Sequence, residues 1–169
     1  MARQIYSLKD ATIKLKDGTT PTAKEVEILM DDGSISITES RNIEYKMNRG
    51  VLGADTAVRE GDDVPMEISI TGRMDGYKGE SALLLTPSEF IKNNHADISL
   101  VSTGDECAPF ACDIFIDFAH PDGCTPGYNA ELIELPEFRW EQCVVDIKAG
   151  TIQISGKCKA KTPTVTRPA

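Results

Sequence analysis

Apolar and polar side chains alternate with period two along most of this chain, and that alternation leaves little room for anything but strands. Ala11, Ile13 and Leu15 alternate with Thr12, Lys14 and Lys16, and Asp17-Gly18 follows as a turn signal. Val26, Ile28 and Met30 alternate with Glu25 and Glu27 before Asp31-Asp32-Gly33. Ile35, Ile37, Ile43, Tyr45 and Met47 then share one parity; Ser34, Ser36, Thr38, Ser40, Asn42, Glu44 and Lys46 share the other. Glu39 and Arg41 interrupt the apolar parity, which places a bulge or bend inside this long strand. The strand ends at Arg49-Gly50, and a polar, Gly-bearing loop runs from Val51 to Asp63. Val64, Met66, Ile68 and Ile70 alternate with Pro65, Glu67, Ser69 and Thr71 on the way back. Together these segments predict a long hairpin with an extended tip, and long tips in compact domains usually carry function.

One segment breaks the pattern. Thr86-Pro87-Ser88-Glu89 offers a capping threonine, a proline at the first helical position and a glutamate three residues after the cap. Phe90 and Ile91 give it a short apolar face, and Asn93-Asn94 a stop. Further strands are predicted at Asp97–Ser102, Phe110–Ala119, Glu131–Trp140, Val144–Ile147 and Thr151–Lys159. The expected fold is mainly β: two packed antiparallel sheets, sandwich or barrel-like, with one short flanking α-helix and a long hairpin loop. The 169 residues suit one domain, 1–169, in which residues 161–169, with Pro163 and Pro168, read as a loose C-terminal extension. Such a sheet has edges, and edges pair with neighbours.

Net charge is −9, from 27 acidic and 18 basic side chains, which disfavours tight phosphate binding. Lys9, Lys14 and Lys16 cluster near one end and Lys157, Lys159 and Lys161 near the other, with no aromatic interleaving that would make a stacking platform. Met1-Ala2-Arg3-Gln4 opens without the apolar core of a signal peptide, and no apolar run reaches membrane-spanning length. Cytoplasmic synthesis is therefore expected, with no membrane partner.

Chemistry-bearing patterns are sparse. His95 and His120 are the two histidines, and no H-E-x-x-H, G-x-S-x-G or Walker sequence occurs. His95 reads as a polar turn residue. Asp113 and Asp117 share a strand face and read as a solvated acidic stripe rather than an acid–base pair. Cys107, Cys112, His120 and Cys124 are chemically able to bind zinc, but their spacing fits no common zinc module. No metal, cofactor or catalytic residue is expected, and Cys112, Cys143 and Cys158 read as small core residues. Five cysteines is an odd number, and without a signal peptide reduced thiols are the default. Cys107 and Cys124 are the candidate disulfide pair; they flank one strand, so a bond between subunits is geometrically easier than one within the chain.

A longer pattern emerges from Arg41-Asn42-Ile43-Glu44-Tyr45, Arg49-Gly50 and Val58-Arg59-Glu60-Gly61-Asp62-Asp63-Val64-Pro65. It continues in Leu135-Pro136-Glu137-Phe138-Arg139 and in the stretch from Asp146 to Cys158. In order and spacing these resemble the tail tube (major tail) proteins of tailed bacteriophages, from the first strand to about Thr164. That resemblance implies a virion protein of the tail, assembled in the host cytoplasm and not an enzyme. It implies rings of six subunits stacked into a hollow tube that conducts DNA. Implied partners are copies of itself, the tape measure, tail terminator and baseplate or tip proteins, the sheath where the tail contracts, and passing DNA held without specificity. The tip residues Val51, Leu52, Asp55, Val58, Arg59, Glu60, Asp62 and Asp63 would then contact a neighbouring ring or subunit. Ser36, Thr38, Ser40, Asn42, Glu44, Glu67, Ser69 and Thr71 would face the lumen. Two other readings compete: a carbohydrate- or receptor-binding β-sandwich of a phage tail, and a small hydrolase. The first wants exposed aromatics in a groove, and the chain has Trp140 and four tyrosines. The second wants a nucleophile–base set, which is not visible.

Overall fold

The computed structural model describes residues 11–28, 34–46, 57–73, 85–118 and 131–167. Within them lie ten strands and one helix: β1 (Ala11–Lys16), β2 (Glu25–Ile28), β3 (Ser34–Thr38), β4 (Ile43–Lys46), β5 (Ala57–Glu60), β6 (Met66–Arg73), α1 (Pro87–Lys92), β7 (Cys112–Phe118), β8 (Glu131–Asp146), β9 (Thr151–Cys158) and β10 (Thr164–Thr166). The described residues are mainly β and antiparallel, as the alternation predicts, with one short helix where the capping signals place it. The large sheet runs β2-β1-β7-β8-β9-β6-β3, with β10 on β8, and β4 and β5 form a separate two-stranded sheet. The path does not close, so the described strands form no barrel.

The 16-residue strand β8 organises the sheet. Its first half pairs with β7 from Glu131 to Phe138, and its second half pairs with β9 from Phe138 to Asp146. A single apolar cluster draws on both halves: Ile13, Leu15, Ile114 and Ile116 from one, Met66, Ile68, Ile152 and Ile154 from the other. Phe138, 1% exposed, sits where the halves meet. Two irregularities bend β8 there. Pro136 has no N–H to give to the ladder, so the register with β7 slips between Cys112/Phe138 and Ile114/Leu135. Glu137 takes a left-handed φ of 50° and donates its N–H to Asp113 Oδ1 at 2.9 Å. Register with β9 slips again between Trp140 and Gln142. Opposite that slip stands Gly156, where a Cβ would lie 2.1 Å from the Arg139 carbonyl oxygen. Only a residue with no side chain permits that approach. Alternation alone splits β8 at this point, because the extra residue, Glu141, breaks the parity.

Other differences have local causes. The predicted strand Asp97–Ser102 is irregular, because its backbone is spent on the β1–β2 turn. Gly18 N–H donates to the Val101 carbonyl at 2.8 Å, and Val101 N–H to Asp17 Oδ2 at 3.2 Å. Asp17 is 4% exposed, and its carboxylate also accepts from the backbone N–H groups of Thr19 and Lys24. The long strand predicted from Ser34 to Met47 is two strands, β3 and β4, broken over residues 39–42 where Glu39 and Arg41 offend the parity. Residues 164–166 of the C-terminal extension form β10, paired with Leu132, Ile133 and Glu134.

The helix follows its signals. Thr86 caps it with extended backbone, accepting from Glu89 N–H at 3.3 Å while the Glu89 carboxylate accepts from Thr86 N–H at 3.0 Å. Asn93 ends it in the left-handed conformation. Phe90 and Ile91 are buried in the core.

Candidate functional site

Cross-strand register assembles one continuous polar face. Thr38 lies opposite Glu67, and Glu67 opposite Lys157. Ser36 lies opposite Ser69, Ser69 opposite Ser155, and Ser155 opposite Gln142. Ser34, Thr71, Gln153 and Val144 make the next row, and Arg73, Thr151 and Asp146 the last. Directly opposed residues share a face of the sheet, so these rows lie side by side, about 14 Å across four strands. The reverse face of the same strands carries Ile35, Ile37, Ile68, Ile70, Ile152 and Ile154 on the core. The polar face is therefore a direct consequence of period two: a strand that buries isoleucines inward must turn its serines and threonines outward.

Charge on this face is nearly balanced. It carries the cations Arg73, Arg139 and Lys157 and the carboxylates Glu67, Glu141 and Asp146. Glu141 stands 3.3 Å from Lys157. It occupies the bulge in β8, and the broken parity hides it from sequence reading. The basic clusters are likewise engaged. Lys14 and Lys16 reach Glu25 at 2.7 and 3.3 Å, Lys159 reaches Glu137 at 3.4 Å, and Lys161 pairs with Asp63. Lys9 lies outside the described residues.

Of the candidate lumen residues, Ser36, Thr38, Glu67, Ser69 and Thr71 come together on this face. Ser40 and Asn42 do not; they lie in the break between β3 and β4. Glu44 lies on the second sheet, where Arg59 meets its carboxylate at 2.8 Å. The cause is the break at residues 39–42, which removes the shared strand on which their common face depended.

Past the break, β4 and β5 form a ribbon in which Ile43 opposes Glu60, Glu44 Arg59, Tyr45 Val58, and Lys46 Ala57. Its root is tied by the Gly61 N–H, which donates to the Asn42 carbonyl at 2.9 Å, and by Arg41 with Glu60 at 3.5 Å. One face of the ribbon is largely apolar and exposed: Tyr45 is 68% exposed, Val58 59% and Ile43 41%, with Glu60 beside them. A two-stranded ribbon is marginally stable in water unless one face packs on something. Of the candidate tip residues, Val58, Arg59 and Glu60 are in β5 rather than in a loop, and Asp62 and Asp63 follow it. Val51, Leu52 and Asp55 lie outside the described residues. Among the described residues β2 and β3 each pair on one edge alone, so their outer edges remain open to further pairing.

The other candidates have structural roles. His95 Nδ1 accepts from Asp97 N–H at 3.2 Å, within its own turn. Asp113 accepts from the Glu137 N–H where β8 slips against β7, which goes beyond its reading as part of a solvated stripe. Cys112 and Cys158 are core residues. Burial raises both thiols above the usual range, Cys158 to about 12, with the Asp113 charge adding to the shift. Buried, protonated thiols of this kind are inert. Cys143 packs against the core with Ser88 Oγ 3.7 Å from its sulfur. Cys107 is exposed and free, while Cys124 and His120 lie outside the described residues. No group of three metal-ligating side chains occurs among the described residues. Trp140, 38% exposed, has the Lys92 ammonium 5.8 Å from its ring centre.

No protein-family model matches the chain, and no curated protein matches it in sequence, so the polar face and the apolar ribbon stand on their own geometry.

Proposed function

We propose that this protein is a structural subunit that assembles with copies of itself into rings and a hollow tube, the tail tube of a bacteriophage, whose polar face lines the passage for DNA. The observation that carries the reading is the exposed, largely apolar face of the β4–β5 ribbon, beside a sheet in which β2 and β3 each pair on one edge alone among the described residues. A ribbon with Tyr45 and Val58 in water gains stability by lying against another surface, and open edges supply the backbone groups for ring closure.

The polar face suits a conduit. Hydroxyls and amides give a sliding polyanion little to hold, and a cation already facing a carboxylate releases few counterions on meeting phosphate. Glu141 beside Lys157 makes that arrangement local. Electron microscopy of the purified protein at high concentration tests the proposal: rings or hollow tubes support it, and persistent monomers overturn it.

A further inference from the structure

The C-terminal strand β10 is held in an unusual way. Its three residues pair with Glu134, Ile133 and Leu132 along the edge of β8 that β9 leaves after Cys158. All three are exposed, Val165 by 42%, and none belongs to the apolar cluster. Beyond them Arg167 reaches Glu131 at 3.0 Å. Glu131 is 6% exposed, one of the few charged groups so deeply placed among the described residues. A carboxylate in that position is stabilised by a cation, because burial makes a charge costly.

The edge of β8 is therefore an acceptor with two demands: a strand for Leu132 to Glu134, and a cation for Glu131. Thr164-Val165-Thr166-Arg167 meets both, and every copy of the chain carries it. We infer that in the assembled protein this acceptor takes β10 from a second copy, so that neighbouring subunits are joined by exchanged C-terminal strands. Exchange reproduces the same ladder and the same ion pair, so every bond broken within one chain is remade between two. The conformational change falls on the connection from Lys159 to Pro163. There Lys161 pairs with Asp63 just past β5, so the connection that redirects β10 also touches the root of the ribbon.

The inference rests on the assembly reading above, and the test separates the two. ¹⁵N-labelled and unlabelled chains, each with a photoreactive benzophenone amino acid in place of Thr164, are mixed, assembled and irradiated. Exchange predicts cross-linked peptides joining position 164 to residues 132–134 in mixed-isotope form, as abundant as both single-isotope forms together. Assemblies that yield single-isotope cross-links alone overturn exchange and leave the assembly reading intact; absence of any assembly overturns both. Charge reversal gives an independent measure. Arg167→Glu and Glu131→Arg are each expected to fail to assemble alone and to assemble when mixed. If the doubly reversed chain assembles and the mixture of single variants does not, the strand stays at home and the inference is wrong.

Discussion

Tyr45 and Val58 face each other across the ribbon, and replacing both with serine isolates what their exposure costs and what a neighbour gains by covering them. Burying a whole side chain of this kind contributes roughly 1.5–3 kcal/mol. Tyr45 is 68% exposed and Val58 59%, so more than half of that gain is unrealised in the single chain. Covering both therefore contributes about 3 kcal/mol for each ribbon, or about 100-fold in an association constant. The Tyr45→Ser/Val58→Ser variant should raise the critical concentration for assembly about 100-fold. The isolated chain should lose no more than about 1 kcal/mol, because exposed strand positions contribute little to the fold. Pelleting and light scattering over a dilution series give the first quantity, and urea unfolding of unassembled protein the second. An unchanged critical concentration would show that no partner covers this face.

Three further outcomes are expected. Asp17→Ala should destabilise the chain by about 3 kcal/mol in urea unfolding, because it removes the buried charged acceptor that the N–H groups of Lys24 and Val101 share; a loss below about 1 kcal/mol would remove Asp17 as the link between the β1–β2 turn and Val101. Glu89, held below the usual carboxylate range by the Thr86 N–H and then by the Thr86 hydroxyl, and Glu25, held low chiefly by its hydrogen bond from Lys14, should both contribute to acid sensitivity. A carboxylate depressed in the folded state stabilises it above the unfolded value, about 4.3, and that contribution disappears as pH falls through the lower folded value. The urea midpoint should therefore fall on acidification, and fall less in Glu25→Gln/Glu89→Gln; identical slopes would contradict the assignment. Finally, Glu67→Lys/Glu141→Lys should turn a nearly neutral polar face basic, so that assembled protein retains DNA at low salt and releases it at high salt, whereas the unaltered protein leaves DNA in the supernatant. Equal retention by both would mean that this face does not meet DNA.

Much of the fold is legible because its causes are local. Period two marks β1, β2, β3, β6, β7 and β9, and Thr86-Pro87-Ser88-Glu89 marks α1 within a residue or so of its ends. What escapes is set by distant partners. Asp17-Gly18 reads as a turn, yet nothing nearby says that Asp17 binds the backbone of residue 101. The continuity of β8 is hidden because the Glu141 bulge reverses the parity, and Gly156, which permits that bulge, lies on another strand. β10 is invisible because three exposed residues carry no apolar pattern; their pairing is decided by the edge of β8 and by Glu131. The serine and threonine face is readable in kind, whereas its extent is not. Ser36 and Ser69 belong to it, Glu44 does not, and Ser155, Gln153 and Glu141 enter through strands whose register no local signal fixes.

Whether the protein forms a hollow tube is decided by a three-dimensional reconstruction of it assembled at high concentration. The expected result is a hollow tube in which Ser36, Ser69 and Ser155 line the channel and a neighbouring subunit covers Tyr45 and Val58. A solid filament, an assembly with the Ser36–Ser69–Ser155 row on its outer surface, or a protein that stays monomeric would contradict it.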